Sequence, residues 1–216
     1  MEYADSFLDF IFRIDIYLEH MILVYENWIY AILFLIVFCE TGLVVAAFLP
    51  GDALLFVTGT LAAMPTNTMN VHIVAFLLIL AAILGDTCNY WIGKRFGERL
   101  LQDPNSRIFK KKHLDRTHRF YEKYGGKTII LARFIPFVRT FAPFVAGMGR
   151  MNYSYFVNYN VSGALIWVIS LTYAGFYLGG FSIVQNNLKW VIILIIILSN
   201  IPALIQVIKK RGKWLD

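Results

Sequence analysis

The feature that most constrains this sequence is a set of long apolar stretches. Residues 72–93, 155–178 and 190–208 each contain few charges, and about 20 apolar residues suffice for a helix to cross the hydrocarbon core of a membrane. Over the whole chain, 58% of residues are hydrophobic and 16% are charged, against about 45–50% and about 25% in soluble domains. The sequence therefore predicts an all-α polytopic membrane protein and excludes a soluble domain, a disordered chain and a collagen.

Two further apolar stretches, residues 28–64 and 127–151, are interrupted by proline, glycine and charged residues. The first is too long for one span and too short for two spans with a loop. The second contains two prolines, which a regular spanning helix would not hold. Each is therefore predicted to form a re-entrant helical hairpin, in which a broken helix enters the membrane and returns to the same side. The predicted helix breaks are Pro50, Gly51, Pro136, Pro143 and Gly147.

Basic residues are concentrated in two segments. The first 93 residues contain one, Arg13, beside nine acidic residues, whereas residues 94–127 contain eleven and the tail from Lys209 contains four. Because short basic loops remain in the cytoplasm, segment 94–127 and the C-terminus are predicted to be cytoplasmic. A hairpin followed by a spanning helix then occurs twice, in opposite orientations. This is the inverted-repeat organisation of secondary transporters.

The remaining segments are amphipathic or basic. Residues 1–27 are predicted to contain an amphipathic helix and, because the chain opens with acidic residues, no cleavable signal peptide. Residues 28–208 form the predicted membrane transport domain, and residues 209–216 form a basic cytoplasmic tail. Residues 105–124 interleave apolar with basic side chains. We expect them to bind anionic lipid rather than nucleic acid, because both ends of the segment are tethered to spanning helices.

Four charged residues lie within the interrupted stretches: Glu40, Asp52, Arg133 and Arg139. A charge at the centre of a spanning helix costs about 2.5–3.5 kcal/mol on insertion scales, so these side chains must be paired or hydrated. Both acids belong to the first hairpin and both arginines to the second, so pairs between the hairpins are expected. The pairs form either a static clamp or a hydrated site for an anionic headgroup. The helix breaks favour the site, because exposed backbone N–H groups and arginines bind anions.

Other polar residues add to this picture. Asp86, Asn89 and Tyr90 are expected to line the same cavity, although Asp86 serves equally well as a cap at the membrane interface. Most of the five tryptophans are expected to be anchors at that interface. The two cysteines and four histidines lack metal-ligand spacing, and the sequence has no P-loop or nucleophile motif. It therefore predicts no metal, no cofactor and no enzyme activity. Two glycine pairs are expected to pack helices closely: Gly93 with Gly97, and Gly175 with Gly179.

Four motifs are distributed over nearly the whole chain. They are Glu-Thr-Gly at 40–42, Phe-Leu-Pro-Gly-Asp at 48–52, Gly-Asp-x3-Tyr-x-Ile-Gly at 85–93 and Arg-Phe-x-Pro-x-Val-Arg-Thr-x-Ala-Pro-x3-Gly at 133–147. Together they resemble the motifs of the DedA family of bacterial inner-membrane proteins, part of a superfamily that shares the SNARE-associated or VTT domain. The last motif is the most specific of the four.

The resemblance implies a role in membrane homeostasis that depends on the proton-motive force. For some members it also implies flipping of undecaprenyl phosphate, the carrier lipid of cell-wall synthesis. The essential acids of the family match Glu40 and Asp52, and its essential arginines match Arg133 and Arg139. We therefore expect a multi-pass flippase of the bacterial inner membrane, in which the arginines bind the lipid phosphate and the acids carry the proton or balance the charge of the arginines. The alternatives are an uncoupled phospholipid scramblase and a non-transporting scaffold or assembly factor, and homo-oligomer formation stays open.

Overall fold

A computed structural model of the chain describes residues 28–43, 51–64, 69–102, 127–133, 135–195 and 197. Nearly all of these residues are helical and none of them lies in a strand, which confirms the predicted all-α class. The predictions for residues 1–27, 105–124 and 209–216, and the predicted helix break at Pro50, fall outside the described part. The helices are α1 (Trp28–Gly42), α2 (Gly51–Ala63), α3 (Val71–Gln102), α4 (Lys127–Ala132), α5 (Pro136–Met148), α6 (Tyr153–Gly179), α7 (Ser182–Asn186) and α8 (188–195).

Among the described residues, two helices are long and apolar enough to cross a membrane: residues Val71–Phe96 of α3, and the whole of α6. They correspond to the first two predicted spans. α3 continues beyond its apolar part to Gln102, so the first residues of the basic segment lengthen this helix. Of the third predicted span, 190–208, the structure describes residues 190–195 and 197, and these are helical.

Each of the two interrupted stretches contains two separate helices. α1 ends at Gly42 and α2 begins at Gly51, while α4 ends at Ala132 and α5 begins at Pro136. Proline suits a helix start because its missing N–H is not needed there. It also disfavours helical backbone in the preceding residue, and Ile135 is extended, with φ −119° and ψ 108°. The proline at 136 therefore explains why the second stretch is broken at this point.

Two of the predicted helix breaks are wrong, because Pro143 and Gly147 lie inside α5. A proline within a helix removes one backbone hydrogen bond, and membrane helices tolerate this where neighbouring groups compensate. Beyond Pro143 and Gly147, Arg150 adopts a left-handed backbone conformation with φ 55°. The N–H groups of Arg150 and Met151 donate to the carbonyls of Gly147 and Ala146, at 3.0 Å each. This Schellman motif ends α5.

The chain divides into two compact units. The first comprises Met1–Leu35, Pro50–Leu78 and Val168–Asp216, and the second comprises Ile36–Leu49 and Ile79–Trp167. The boundaries fall within α1, α3 and α6. All of the predicted polar site residues except Asp52 therefore belong to the second unit.

In the first unit, α2 packs against the C-terminal part of α6. Ten of the thirteen residues of α2 are buried, as expected for a helix that is apolar on all sides. A Cβ atom on Gly59 would lie 2.0 Å from the Thr172 carbonyl oxygen, and one on Gly175 would lie 2.0 Å from the Phe56 carbonyl oxygen. Glycine thus brings the two backbones into contact, and this confirms the packing role predicted for Gly175.

In the second unit, α3, α5 and the first part of α6 pack together. Tyr90 of α3 stacks on Phe156 of α6, with 4.6 Å between the ring centroids. A Cβ atom on Gly93 would lie 2.1 Å from the Phe144 carbonyl oxygen, and one on Gly147 would lie 2.0 Å from the Tyr90 carbonyl oxygen. Gly147 therefore serves the close approach of α3 and α5 rather than a helix break.

Candidate functional site

The two arginines that the sequence singles out lie on either side of the junction between α4 and α5. Arg133 directly follows the last residue of α4, and its N–H still donates to the Ile130 carbonyl at 3.2 Å. Arg139 lies in the first turn of α5, three residues after Pro136. Both side chains are buried, with exposed fractions of 4% and 7%. The short break between the helices therefore places two buried cations close together.

Arg139 forms a buried ion pair with Glu40, in the last turn of α1. Nη2 of Arg139 donates to Oε1 of Glu40, and Glu40 is fully buried. The next residue of α1, Thr41, donates from its hydroxyl to the Val37 carbonyl at 2.9 Å. A buried charge of this kind is tolerated only with a partner. The contact joins α1 to α5, which is the arrangement expected for this arginine from the sequence.

Arg133 pairs with a different acid from the one expected. Its Nη2 donates to Oδ2 of Asp86, in the middle of α3, and also to Oδ1 of Asn160 in α6, at 2.5 Å. Asn160 is itself held by a hydrogen bond from its Nδ2 to the Ile83 carbonyl, at 3.1 Å. Asp86 is 4% exposed, so it is a buried counter-ion rather than a cap at the membrane interface.

A single indole ring lies against both guanidinium groups. The Cζ atom of Arg133 is 5.8 Å from the centroid of the Trp167 ring, and the Cζ atom of Arg139 is 5.0 Å from it. Both distances fall within the range of cation–π attraction. Trp167 is 1% exposed, so this tryptophan is a buried member of the site rather than an interface anchor. Trp28, Trp91 and Trp190 are exposed, and their position at the interface stays a prediction.

Asn89 and Tyr90 support the site rather than line it. Nδ2 of Asn89 donates to the Thr41 carbonyl at 3.1 Å and to the Thr140 carbonyl at 2.7 Å. One buried side chain of α3 thereby connects the helix ends that carry Glu40 and Arg139. The Tyr90 hydroxyl donates to the carbonyl of Met151, just beyond α5. Both residues therefore hold the helices in register around the ion pairs.

A small cavity of about 10 Å³ lies between the two ion pairs. This volume is close to the minimum that one water molecule requires. The two arginines and the two acids balance to zero net charge, which lowers the cost of burying them. Two guanidinium groups this close together are also suited to bind a phosphate when the carboxylates move away from them. The cavity is lined by Thr41, Asp86, Arg133, Arg139, Thr140 and Trp167.

The last predicted site residue, Asp52, lies in the other unit. It occupies the first turn of α2, where a negative charge interacts favourably with the positive end of the helix dipole. Its side chain is half-buried. Within the described ranges, no group of three or more His, Cys, Asp or Glu residues is arranged to hold a metal ion.

Sequence reasoning missed four members of the site: Asn160, Trp167 and the two threonines that line the cavity, Thr41 and Thr140. Asn160 is a polar residue within an apolar spanning helix, and such residues tend to face a polar interior. Trp167 stands in the middle of the same helix, away from the ends at which interface anchors occur. Thr140 directly follows Arg139. The depth of Asn160 and Trp167 in their helix was therefore a usable signal, and both threonines directly follow a charged site residue within the motifs at 40–42 and 133–147.

Fold and site together define a helical membrane protein whose polar centre is a charge-balanced cluster of two buried ion pairs. The VTT domain family matches residues 49–177 of the chain, a range that includes Asp86 and both arginines. The chain belongs to this family, and within it to the DedA proteins, as the following relatives show. No solved structure matches it significantly.

The relatives cover most of the chain. Protein DedA of Escherichia coli K12 is 58% identical over 204 residues, which cover 94% of this chain and 93% of the relative. An uncharacterised membrane protein of Mycobacterium tuberculosis H37Rv is 42% identical over 172 residues, or 80% and 75% of the two chains. The inner membrane protein YqjA of Escherichia coli K12 is 39% identical over 152 residues, or 70% and 68%. These similarities confirm the family resemblance that the four motifs indicated.

Proposed function

We propose that this protein is a proton-coupled flippase for a phosphate-bearing lipid, such as undecaprenyl phosphate, in the inner membrane of a bacterium. The observation that carries the proposal is the pair of buried arginines, Arg133 and Arg139, each held by one carboxylate and both against Trp167. A charged side chain within a membrane is costly, and the charged residues found there mark substrate and ion pathways. The relative YqjA is named an inner membrane protein, which supports the location.

Arginine is suited to the lipid phosphate because its planar guanidinium binds phosphate through two parallel hydrogen bonds. The cavity of about 10 Å³ beside the arginines is too small for a phosphate group. A phosphate can therefore enter only when the ion pairs open and the carboxylates release their arginines. In this proposal the described arrangement is the closed state, in which Glu40 and Asp86 occupy the positions that the phosphate takes in the open state.

The same exchange provides coupling to protons. A buried carboxylate that loses its guanidinium partner has a higher affinity for a proton. Binding of the lipid phosphate and of the proton then favour each other, typically by about 1–3 kcal/mol. The family resemblance assigns the proton to Glu40 and Asp52. Glu40 is the counter-ion of Arg139, and Asp52 stays a proposal from the resemblance alone.

We further propose a membrane arrangement for the helices. In it, α1 with α2 and α4 with α5 form two re-entrant hairpins, each followed by a spanning helix, α3 or α6. The two repeats are inverted, and the basic segment 94–127 and the C-terminus are cytoplasmic. Broken helices that meet within the membrane form the substrate sites of many secondary transporters, which supports this arrangement.

The test is a flip assay on purified protein in liposomes, with a fluorescent polyprenyl phosphate and a fluorescent phosphatidylglycerol. We expect the polyprenyl phosphate to be flipped faster when a pH gradient is applied. Arg139→Gln should slow flipping about 10- to 100-fold, since a hydrogen bond to a charged group contributes about 1.5–3 kcal/mol. Arg150→Gln is the matched control, because Arg150 is an exposed arginine just beyond α5 and should flip lipid normally.

The other outcomes distinguish the alternative functions. Flipping of both lipids at the same rate with and without the gradient would identify an uncoupled scramblase. An absence of flipping in folded protein, for every lipid tested, would support a scaffold or assembly factor. Equal activity of Arg139→Gln and Arg150→Gln would remove the arginine site from the mechanism.

A further inference from the structure

One nitrogen of the Arg133 guanidinium is not used in a hydrogen bond with any described residue. Nη1 of Arg133 is buried and has no hydrogen-bond partner among the described residues, whereas Nη2 of the same guanidinium donates to both Asp86 and Asn160. Buried polar atoms in native proteins are nearly always satisfied, so an unused one indicates a bound water or ion. Arg133 also lines the cavity of about 10 Å³, which is where such an occupant would lie.

The volume of the cavity and the net charge of the side chains around it favour water as its occupant. A cavity of this size holds about one water molecule and excludes larger ions such as phosphate. Glu40, Asp86, Arg133 and Arg139 carry no net charge together when both acids are ionised, so an anion in the cavity would leave one buried charge uncompensated. A water molecule adds no charge. It also finds several polar neighbours in the cavity lining, among them the threonines Thr41 and Thr140.

Asp86 is the acid that this water reaches. Asp86 lines the cavity, whereas the residues that line it do not include Glu40. The charged groups around Asp86 are Arg133 from the α4–α5 junction and Arg139 from α5, with Glu40 of α1 beyond them as the partner of Arg139. Asn160 of α6 also accepts from the Arg133 Nη2 that binds Asp86, so this arginine keeps a partner when Asp86 is neutral.

We infer that Asp86 binds and releases a proton through one water molecule held in this cavity. A hydronium ion in the cavity breaks one O–H bond, the proton forms an O–H bond on the Asp86 carboxylate, and a neutral water molecule remains. No electron is transferred. The cluster then changes from zero charge to one positive charge, which favours entry of an anion such as a lipid phosphate. The inference deepens the proposed function, but the proton step is measured without transport.

The experiment is infrared difference spectroscopy on the full chain in nanodiscs, between mildly basic and mildly acidic buffer. A buried carboxyl group that takes up a proton gives a C=O stretching band, which is absent from the carboxylate. We expect this band in the wild type and its loss in Asp86→Asn. Glu40→Gln is the matched control, since it neutralises the acid of the other ion pair, and it should retain the Asp86 band. A water O–H band that shifts in water labelled with heavy oxygen should change together with it.

Several results would overturn the inference. If Asp86→Asn does not fold, Asp86→Glu keeps the charge and should move the C=O band to another frequency; an unmoved band overturns the inference. A band that survives in folded Asp86→Asn, or that disappears only in Glu40→Gln, also overturns it, as does an Asp86 band without a coupled water band. None of these readouts depends on flipping. The infrared experiment therefore decides the proton step even if the protein transports no lipid.

Discussion

At the scale of single residues, the notable feature is that both cations and both anions of the cluster are buried as pairs. A buried ion pair adds little stability compared with apolar residues of similar shape, but removing one partner typically costs about 3–5 kcal/mol. Selection for stability alone would therefore favour apolar residues at these positions. Their presence at Glu40, Asp86, Arg133 and Arg139 is explained by a task that needs charge within the membrane.

This view leads to a prediction for exchange of charges. The double variant Glu40→Arg with Arg139→Glu restores an ion pair, so it should insert and unfold at nearly the temperature of the wild type. The single variant Glu40→Gln leaves Arg139 with a weaker partner and should unfold earlier. If Arg139 binds the lipid phosphate, the exchanged protein should be inactive in the flip assay, because the arginine now projects from α1. The measurements are thermal unfolding in detergent and flipping in liposomes.

The expression level and the oligomeric profile of each variant serve as controls for folding. Wild-type activity in the exchanged protein would show that the pair is only a static clamp between α1 and α5, and the proposal of a phosphate site would have to be abandoned.

At the scale of helices, close packing depends on glycines that face a neighbouring backbone. In the second unit, α3 and α5 approach through Gly93 and Gly147, and in the first unit α2 and α6 approach through Gly59 and Gly175. Membrane helices gain little from burying apolar side chains against each other, since lipid is equally apolar, so small residues that allow close contact supply much of the association energy. The position of the ion pairs depends on this packing, because Asp86 lies on α3 and Arg139 on α5.

We therefore predict that Gly147→Ala destabilises the protein. The added Cβ atom would meet the carbonyl oxygen of Tyr90 at 2.0 Å, and a backbone atom cannot move aside as a side chain can. Overpacking of this kind costs about 1–3 kcal/mol. Gly180→Ala is the matched control, because its Cβ atom would have its nearest neighbour at 3.6 Å. The temperature of thermal unfolding should fall for Gly147→Ala and stay unchanged for Gly180→Ala; an equal effect of the two would contradict the packing described here.

At the scale of the whole molecule, the distribution of charge determines how the chain lies in the membrane. The first 93 residues carry one basic residue, and residues 94–127 carry eleven. α3 runs from the nearly uncharged segment before it into the basic one, and it is long enough to cross the bilayer. From the positive-inside rule we predict that the C-terminal end of α3 lies in the cytoplasm, and the predicted direction of every other span follows from this orientation.

The prediction is tested by labelling single cysteines in cells, on a background in which Cys39 and Cys88 are replaced by serine. Cysteines at Asn67 and Asn186 should react with a reagent that does not cross the membrane, because both positions are periplasmic in the proposed topology. Cysteines at Ser106 and Lys213 should react only after the membrane is permeabilised. Reaction of Asn67 and Ser106 variants from the same side would rule out the inverted arrangement of the two hairpins.

Three features of the protein were predictable from its sequence: the all-α membrane class, the two long spans and the presence of both arginines in the polar site. These follow from local properties: the length of an apolar run measures whether a helix can cross a membrane, and a charge within such a run is costly wherever the helix lies. Proline acts locally too, which is why the break before Pro136 was predictable.

Which side chains contact each other could not be read from the sequence and depends on the packing of the helices. Arg133 pairs with Asp86 of α3 rather than with an acid of the first interrupted stretch, Trp167 is buried against both arginines, and Pro143 continues a helix that it was expected to end. Each outcome depends on which helix faces turn toward each other, across separations of 47 residues in the case of Arg133 and Asp86. Hydropathy and spacing report the depth of a residue in the membrane but not its neighbours, because those are set by the packing of glycines and side chains on other helices.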